Sequence, residues 1–305
     1  MPAVRKLRDD RGRKSEWRTP PARIVSLVPS DTFTLVRLGV GARLVGRTRY
    51  CVAPSEDVAA IPVVGGTKDA DVDAILALAP DAVIANQEEN TRGDIERLEG
   101  EGVHVFVSFP KTVAAGLAHV ARLALLCGVD GEPAVKELVA RGYHALRAAK
   151  ATAARLRPVR TFLPIWMDPL MTVHGDTFIS DVLALVGARN VFAERARRYP
   201  LAADLGAAPP LSPERVGDRD TRYPRVTLEE VAQHAPELVL LPDEPHPFTE
   251  ADAAVFRALP IPAATRGAVH FCDGKDLMWY GARTIEGLAR LSAMIDAARA
   301  PEGSA

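Results

Sequence analysis

Between residues 132 and 157 the sequence offers no strand, and that gap constrains everything around it. Val135, Leu138, Val139, Leu146 and Leu156 recur at roughly helical spacing. Ala148, Ala149, Ala151, Ala153 and Ala154 are strong helix formers. The spacing predicts one helix of about 26 residues, about 39 Å long at 1.5 Å per residue, ended by Pro158. That is long for a connector and long enough to span the side of a two-lobed protein. Gly142 is its one weak point, since kinks need Pro, Gly or a bulge.

On both sides of this helix, strands and helices alternate. Before it, short apolar runs at residues 23–28, 44–48, 61–64, 81–85 and 103–107 read as strands. Helices are expected after Pro29, with Ser30 or Asp31 as cap, and at 71–78, 91–99 and 113–127. After it, strands are expected at 161–165, 238–242 and 268–271. Helices are expected at 178–186, from the Thr227-x-x-Glu230 capping box, at 250–258 and at 282–298. Such alternation implies mainly parallel sheets covered on both faces. The expected fold is therefore α/β: two Rossmann-like lobes joined by one long backbone helix, with a ligand cleft between them. The expected boundaries are a flexible basic tail (1–22), an N-terminal lobe (23–128), the helix (129–158) and a C-terminal lobe (159–305). Residues 201–222, rich in Ala, Pro, Gly and charge, read as a surface insertion that leaves the core alone.

Composition excludes several classes. Of 305 residues, 48% are hydrophobic and 25% charged, which argues against global disorder. A net charge of −1 gives no field that favours nucleic acid. Cys51, Cys127 and Cys272 are widely spaced and form no CxxC, so neither a disulfide framework nor a zinc knuckle is suggested. No apolar run is long enough for a membrane span. The first 23 residues are basic but lack the apolar core of a secretory signal, so the sequence reads as cytoplasmic.

In open α/β sheets, ligands bind beyond the carboxyl ends of the strands. Tyr50 and Cys51 follow the second strand, Gly65-Gly66-Thr67-Lys68 the third, and Asn86-Gln87-Glu88-Glu89-Asn90 the fourth. In the second lobe Trp166, Asp168 and Met171 follow the first strand. Asp243-Glu244-Pro245-His246 and then Asp273, Trp279 and Tyr280 come later. Trp166, Trp279 and Tyr280 are expected to form an apolar wall, with Tyr50, Lys68, Glu88 and Glu244 fixing a ligand's polar edge. Plainer readings compete: Glu88 and Glu89 as a solvated helix start, Lys68 as a turn residue, Trp279 and Tyr280 as core packing. His174 and His246 each lie near a carboxylate, and metal ligation by them is a further possibility. The chain has no Gly-x-Ser-x-Gly, no phosphate loop and no His-Glu-x-x-His. Gly39-Val-Gly41 fails the dinucleotide pattern because Leu44 stands where a third Gly is needed.

The motifs Arg23-Ile-Val-Ser-Leu-Val-Pro-Ser30, Leu44-Val-Gly-Arg-Thr-Arg-Tyr-Cys51, Val64-Gly-Gly66 and residues 73–84 resemble the first lobe of the helical-backbone (class III) substrate-binding proteins. These are the cobalamin and iron-complex receptors of ABC importers. Asn86-Gln-Glu-Glu-Asn90, Ile165-Trp166, Glu244-Pro-His-Pro-Phe248 and Trp279-Tyr-Gly281 resemble a branch whose members often lack a signal peptide. The resemblance implies a non-enzymatic receptor for a corrinoid or other metal chelate, needing no cofactor; the single continuous helix between the lobes adds the expectation of a monomer that moves little. Tyr50 and Trp166 match aromatics that line the ligand site in these receptors, and position beyond the strand ends adds Cys51, Gly66, Lys68, Gln87, Glu88, Glu89, Met171, Glu244, His246, Trp279 and Tyr280 as expected contacts. Asp73 and Glu229 match the carboxylates that dock on a permease, although Asp73 stands where Glu is usual. The periplasm is the setting that the family implies. Two alternatives stand beside this reading: direct binding of a transition-metal ion by His174, His246, Cys51 and the carboxylates, or an enzyme acting on a small molecule with Glu88, Glu89 and Glu244.

Overall fold

The alternation read from the sequence folds into two parallel sheets. The computed structural model describes residues 4–299. They fall into two units, the first comprising the chain up to Ala145 with Trp279–Ile285, the second Leu146–Met278 with the chain from Glu286.

In the first unit four parallel strands run in the order Leu44–Arg47, Ile24–Ser26, Ala82–Asn86 and His104–Ser108. Every residue of Ala82–Asn86 is buried, as a strand covered on both faces requires. Val25, Leu27, Val64, Val72, Ile75, Val83 and Leu98 form one core cluster. The strand expected at 61–64 is reduced to a bridge between Val63 and Arg47. Pro62 has no N–H to give a ladder, and only its carbonyl takes part, accepting from Arg47 N at 2.9 Å. The helix after the first strand is Pro29–Arg37, and its cap is Val28. Ser30 and Asp31, expected as caps, lie inside the first turn and are buried, because Pro29 with its fixed φ already occupies the first helical position.

The expected flexible tail is a folded hairpin. Arg5–Arg8 pairs antiparallel with Lys14–Trp17. Leu7 and Trp17 are buried, and the Trp17 ring lies 4.8 Å from that of His104. Asp10 N donates to Val107 O (3.0 Å) and Arg11 Nη2 to Val105 O (3.2 Å), so the hairpin covers the outer edge of His104–Ser108. Its basic charge is matched locally: Arg11 with Asp9 (2.7 Å) and Glu99 (2.9 Å), Arg13 with Glu99 (2.5 Å), and Asp10 with Arg122 (2.6 Å).

The long helix is Pro133–Ala153, 21 residues, and the division between the units falls within it. It ends earlier than expected: the chain turns at Ala154 and Arg155, since the residue before Pro158 disfavours helix. The helix runs unbroken through Gly142. A Cβ there would come within 2.6 Å of Leu117 Cδ2, so this glycine permits close packing against Val113–Cys127.

The second unit's sheet runs Ala188–Asn190, Val159–Phe162, Leu238–Pro242 and Val269–Cys272, all parallel. Phe162, Phe192 and Phe256 stack edge-on at its centre. The strand expected at 161–165 divides. Val159–Phe162 stays in the sheet, while Pro164–Met167 leaves it to pair antiparallel with Leu170–Thr172. The capping box at Thr227 and Glu230 forms as expected, opening the helix Leu228–His234. The segment 201–222 does not leave the core alone. It carries the short helices Leu201–Asp204 and Pro213–Val216, and Asp204 is 1% exposed. Its carboxylate accepts from Arg195 Nη1 (3.0 Å), Arg198 N (2.8 Å) and Arg225 N (2.7 Å), tying the segment inward.

Candidate ligand site

In the first unit, three loops meet at the carboxyl ends of the strands. Asn90 organises them: its Nδ2 donates to Leu27 O (3.2 Å) and Thr67 O (3.0 Å), and its Oδ1 accepts from Asn86 N (2.8 Å). Asn86 Oδ1 in turn accepts from Glu88 N (2.7 Å) and Glu89 N (3.3 Å), fixing the turn that carries both acids. Gln87 is exposed, and Glu88 and Glu89 are half-buried. Exposed Lys68 donates its ammonium to the carbonyl of Glu88. The structure thus brings Lys68, Gln87, Glu88 and Glu89 together.

Tyr50 is 51% exposed, with the Arg49 guanidinium 5.1 Å from its ring centre. Arg49 also pairs with Asp69 at 2.6 Å. Gly66 lies beneath that pair: a Cβ would meet Asp69 Oδ1 at 2.2 Å and Arg49 Nη2 at 2.7 Å. Gly65, at φ +90°, makes the turn before it. A side chain at Gly66 would displace the exposed ends of Arg49 and Asp69, which the sequence reading missed and which belong to the same surface.

Three expected contacts are buried instead. Cys51 lies within 3.1 Å of Thr48 Oγ1 in the core, and burial pushes its thiol pKa up. Trp279 packs edge-on against Phe33, 6.2 Å between centroids. Tyr280 is sequestered in a polar network of the first unit. Its hydroxyl lies 3.0 Å from Asp31 Oδ2, 2.8 Å from Ser108 Oγ and 3.2 Å from Asn86 Nδ2, while His119 Nε2 holds Asp31 Oδ1 at 2.8 Å. Burial raises the phenol's pKa well above its usual value, with the Asp31 charge adding to the shift. Trp279 and Tyr280 are therefore buried residues of the first unit's core. Cys127 and Cys272 are buried too, their thiols pushed by desolvation up to about 11 and about 12.

In the second unit Trp166 stands on the antiparallel ribbon, 42% exposed, its Nε1 donating to Asp168 O at 2.9 Å. The ring of His246 is 5.4 Å away, and Phe248 packs on its other side at 4.6 Å. Met171, half-buried, pairs directly with Trp166. Trp166, Met171 and His246 are thus brought together. Glu244 lies nearer Lys275, 3.8 Å between charged atoms, with Asp243 and Asp273 also facing that ammonium. His174 is turned to local structure, its Nδ1 accepting from Asp176 N at 3.0 Å. Among the described residues no group of three His, Cys, Asp or Glu side chains is placed to hold a metal ion.

Asp73 and Glu229 occupy matching places, each in the first turn of a helix capped from two residues earlier, by Asp71 and Thr227. Both are exposed, and Asp73 pairs with Arg97. The N–H groups of the first turn and the Thr227 hydroxyl hold Glu229 below the usual carboxylate range.

Fold and motifs together define a class: the chain belongs to the periplasmic binding protein family, whose profile matches residues 24–244. Among its relatives are the vitamin B12-binding proteins of Yersinia pestis (strain Pestoides F), 29% identical, and Yersinia pseudotuberculosis serotype O:3, 30% identical. Each matches over 179 residues, 58% of this chain and 62% of the relative. Among solved structures, the vitamin B12-binding protein BtuF of Vibrio cholerae superposes with a TM-score of 0.72 at 20% identity, covering 92% of this chain and 98% of the other. The haem-binding protein RhuT of Roseiflexus sp. RS-1 gives 0.72 at 19% identity, covering 92% and 100%.

Proposed function

We propose that this protein is a non-enzymatic substrate-binding protein of the ABC-transporter type, and that its ligand is a cobalamin-like corrinoid or another metal chelate. The observation that carries the reading is Trp166: a large aromatic left open to solvent beside Met171 and His246, in a chain related to proteins named for binding vitamin B12. Such an indole face, with a thioether and an imidazole beside it, suits a broad, partly apolar ligand. In the first unit, Tyr50 supplies an exposed aromatic, and the turns carrying Lys68 and Glu88-Glu89, joined by a hydrogen bond, supply polar groups. Direct binding of a bare metal ion has no comparable cluster of donors among the described residues.

The test is calorimetry with cyanocobalamin and with hemin, on the wild type and on Trp166→Ala. One of the two chelates should bind, and the substitution should weaken it by about 2 kcal/mol, the level of an interface hot spot. Unchanged affinity in a folded Trp166→Ala variant would remove Trp166 from the site. Among the described residues no helix is long and apolar enough to cross a membrane. An importer's receptor works outside the cytoplasmic membrane, so cell fractionation completes the test. Recovery from the periplasm supports import; recovery from the cytoplasm limits the protein to sequestering its chelate.

A further inference from the structure

A guanidinium nitrogen withdrawn from water needs an acceptor. Around residue 200 of the second unit three acids are already engaged. Asp204 accepts from Arg195, Arg198 N and Arg225 N. Asp220 accepts from the Arg222 side chain at 3.0 and 2.6 Å. Glu230 accepts from Arg195 Nε (3.1 Å) and Thr227 N (3.0 Å). Two further arginines remain. Arg197 Nε, and both Nε and Nη1 of Arg225, are buried and have no hydrogen-bond partner among the described residues. Arg197 rests over the Tyr199 ring at 4.5 Å, which leaves its donors free for another partner. Burial, and after it the charge of Arg197, lowers the Arg225 pKa, and the opposing charge of Asp204 offsets only part of that shift.

The register shows what this pair adjoins. Met171 pairs with Trp166 on one side and with Arg225 on the other, both antiparallel. Directly paired residues project from the same face of a ribbon. Trp166, Met171 and Arg225 therefore form one row, apolar at one end and cationic at the other.

We propose that Arg197 and Arg225 form an oxyanion subsite, and that the ligand received by Trp166 and Met171 carries a carboxylate or phosphate group that fills it. Two planar forks match such groups well. The inference rests on the chelate-binding reading for its ligand, whereas the subsite itself can be probed alone.

The first arm follows thermal unfolding of the full chain with inorganic phosphate in low-chloride buffer. The wild type should be stabilised, and Arg225→Met and Arg197→Met should lose that gain. Without phosphate, Arg225→Met should be at least as stable as the wild type, because the change removes a poorly compensated cation; circular dichroism verifies the fold of each variant. The second arm separates the sources of the anion. If the group is a carboxylate, hemin should bind about tenfold more tightly than its dimethyl ester; if a phosphate, cyanocobalamin should exceed cobinamide by about as much, and Arg225→Met should erase the difference. Loss of all chelate binding while phosphate still depends on Arg225 would keep the subsite and remove the chelate reading. Chelate binding that depends on Trp166, with phosphate and Arg225→Met without effect, would remove the subsite and keep the chelate reading.

Discussion

Asp31 is fully buried, and a buried carboxylate is tolerated only when donors surround it. His119, Tyr280 and Ser108 supply them, at 2.8, 3.0 and 3.4 Å. Tyr280→Phe removes one of those donors and leaves the rest of the ring in place. The expected cost is about 1–3 kcal/mol of stability, the penalty for an unsatisfied buried group, read from denaturant unfolding. Chelate binding by the folded variant should be unchanged, because the hydroxyl faces the core; a variant as stable as the wild type would show that Asp31 does not depend on Tyr280. Nothing local in the sequence announced this role. Trp279 and Tyr280 follow a strand closely enough to be taken for an exposed wall, but their partners Phe33, Asp31 and Ser108 lie some 170–250 positions away. The Gly65-Gly66 pair was legible as a turn, while the Arg49–Asp69 pair that crosses Gly66 was not.

Among the elements, those set by local chemistry were read closely. The helices Val113–Cys127 and Ala282–Ala298 and the strand Leu238–Pro242 fall where periodicity put them, and Thr227 caps its helix as its spacing with Glu230 requires. The hairpin Arg5–Trp17 escaped because it is polar and its support is the distant edge strand His104–Ser108. Ala188–Asn190 escaped because three residues carry no pattern. The hairpin also gives a pH dependence. Burial alone would raise the Asp10 carboxyl, but Arg122 and the Phe109 N–H override it and hold the pKa below 3.8. A depressed acid contributes stability that is complete above its unfolded pKa and is lost as pH falls through the folded one. Hydrogen-exchange protection factors at the hairpin amides, corrected for intrinsic exchange at each pH, should therefore fall as the pH drops below about 4. Asp10→Asn should exchange faster already at neutral pH and respond less to acid. Equal slopes in the two proteins would assign the acid response to other groups.

At the scale of the whole chain, two parallel sheets, a helix shared by both units and the family to which the chain belongs were all legible, since alternation of strand and helix is a long-range pattern written in local signals. Asp73 and Glu229 are exposed, and we propose that they are the acids that meet a permease. Reversing both, Asp73→Lys with Glu229→Lys, should leave cyanocobalamin or hemin binding intact and should abolish uptake of that chelate by cells producing the importer. Uptake at the wild-type rate would exclude these acids from permease docking. Both reversals place a cation in the first turn of a helix, so the variant should unfold somewhat below the wild-type temperature, and circular dichroism verifies its fold.

The hairpin's seat on His104–Ser108 has a consequence for how the chain behaves in company. A bare edge strand offers unpaired carbonyls and amides on which another molecule's strand can grow, the first step toward fibrous or amorphous precipitates. Here the carbonyls of Val105 and Val107 are already taken by Arg11 and Asp10, and charged side chains line the approach. The opening segment thereby guards this rim of the first sheet against runaway self-recruitment.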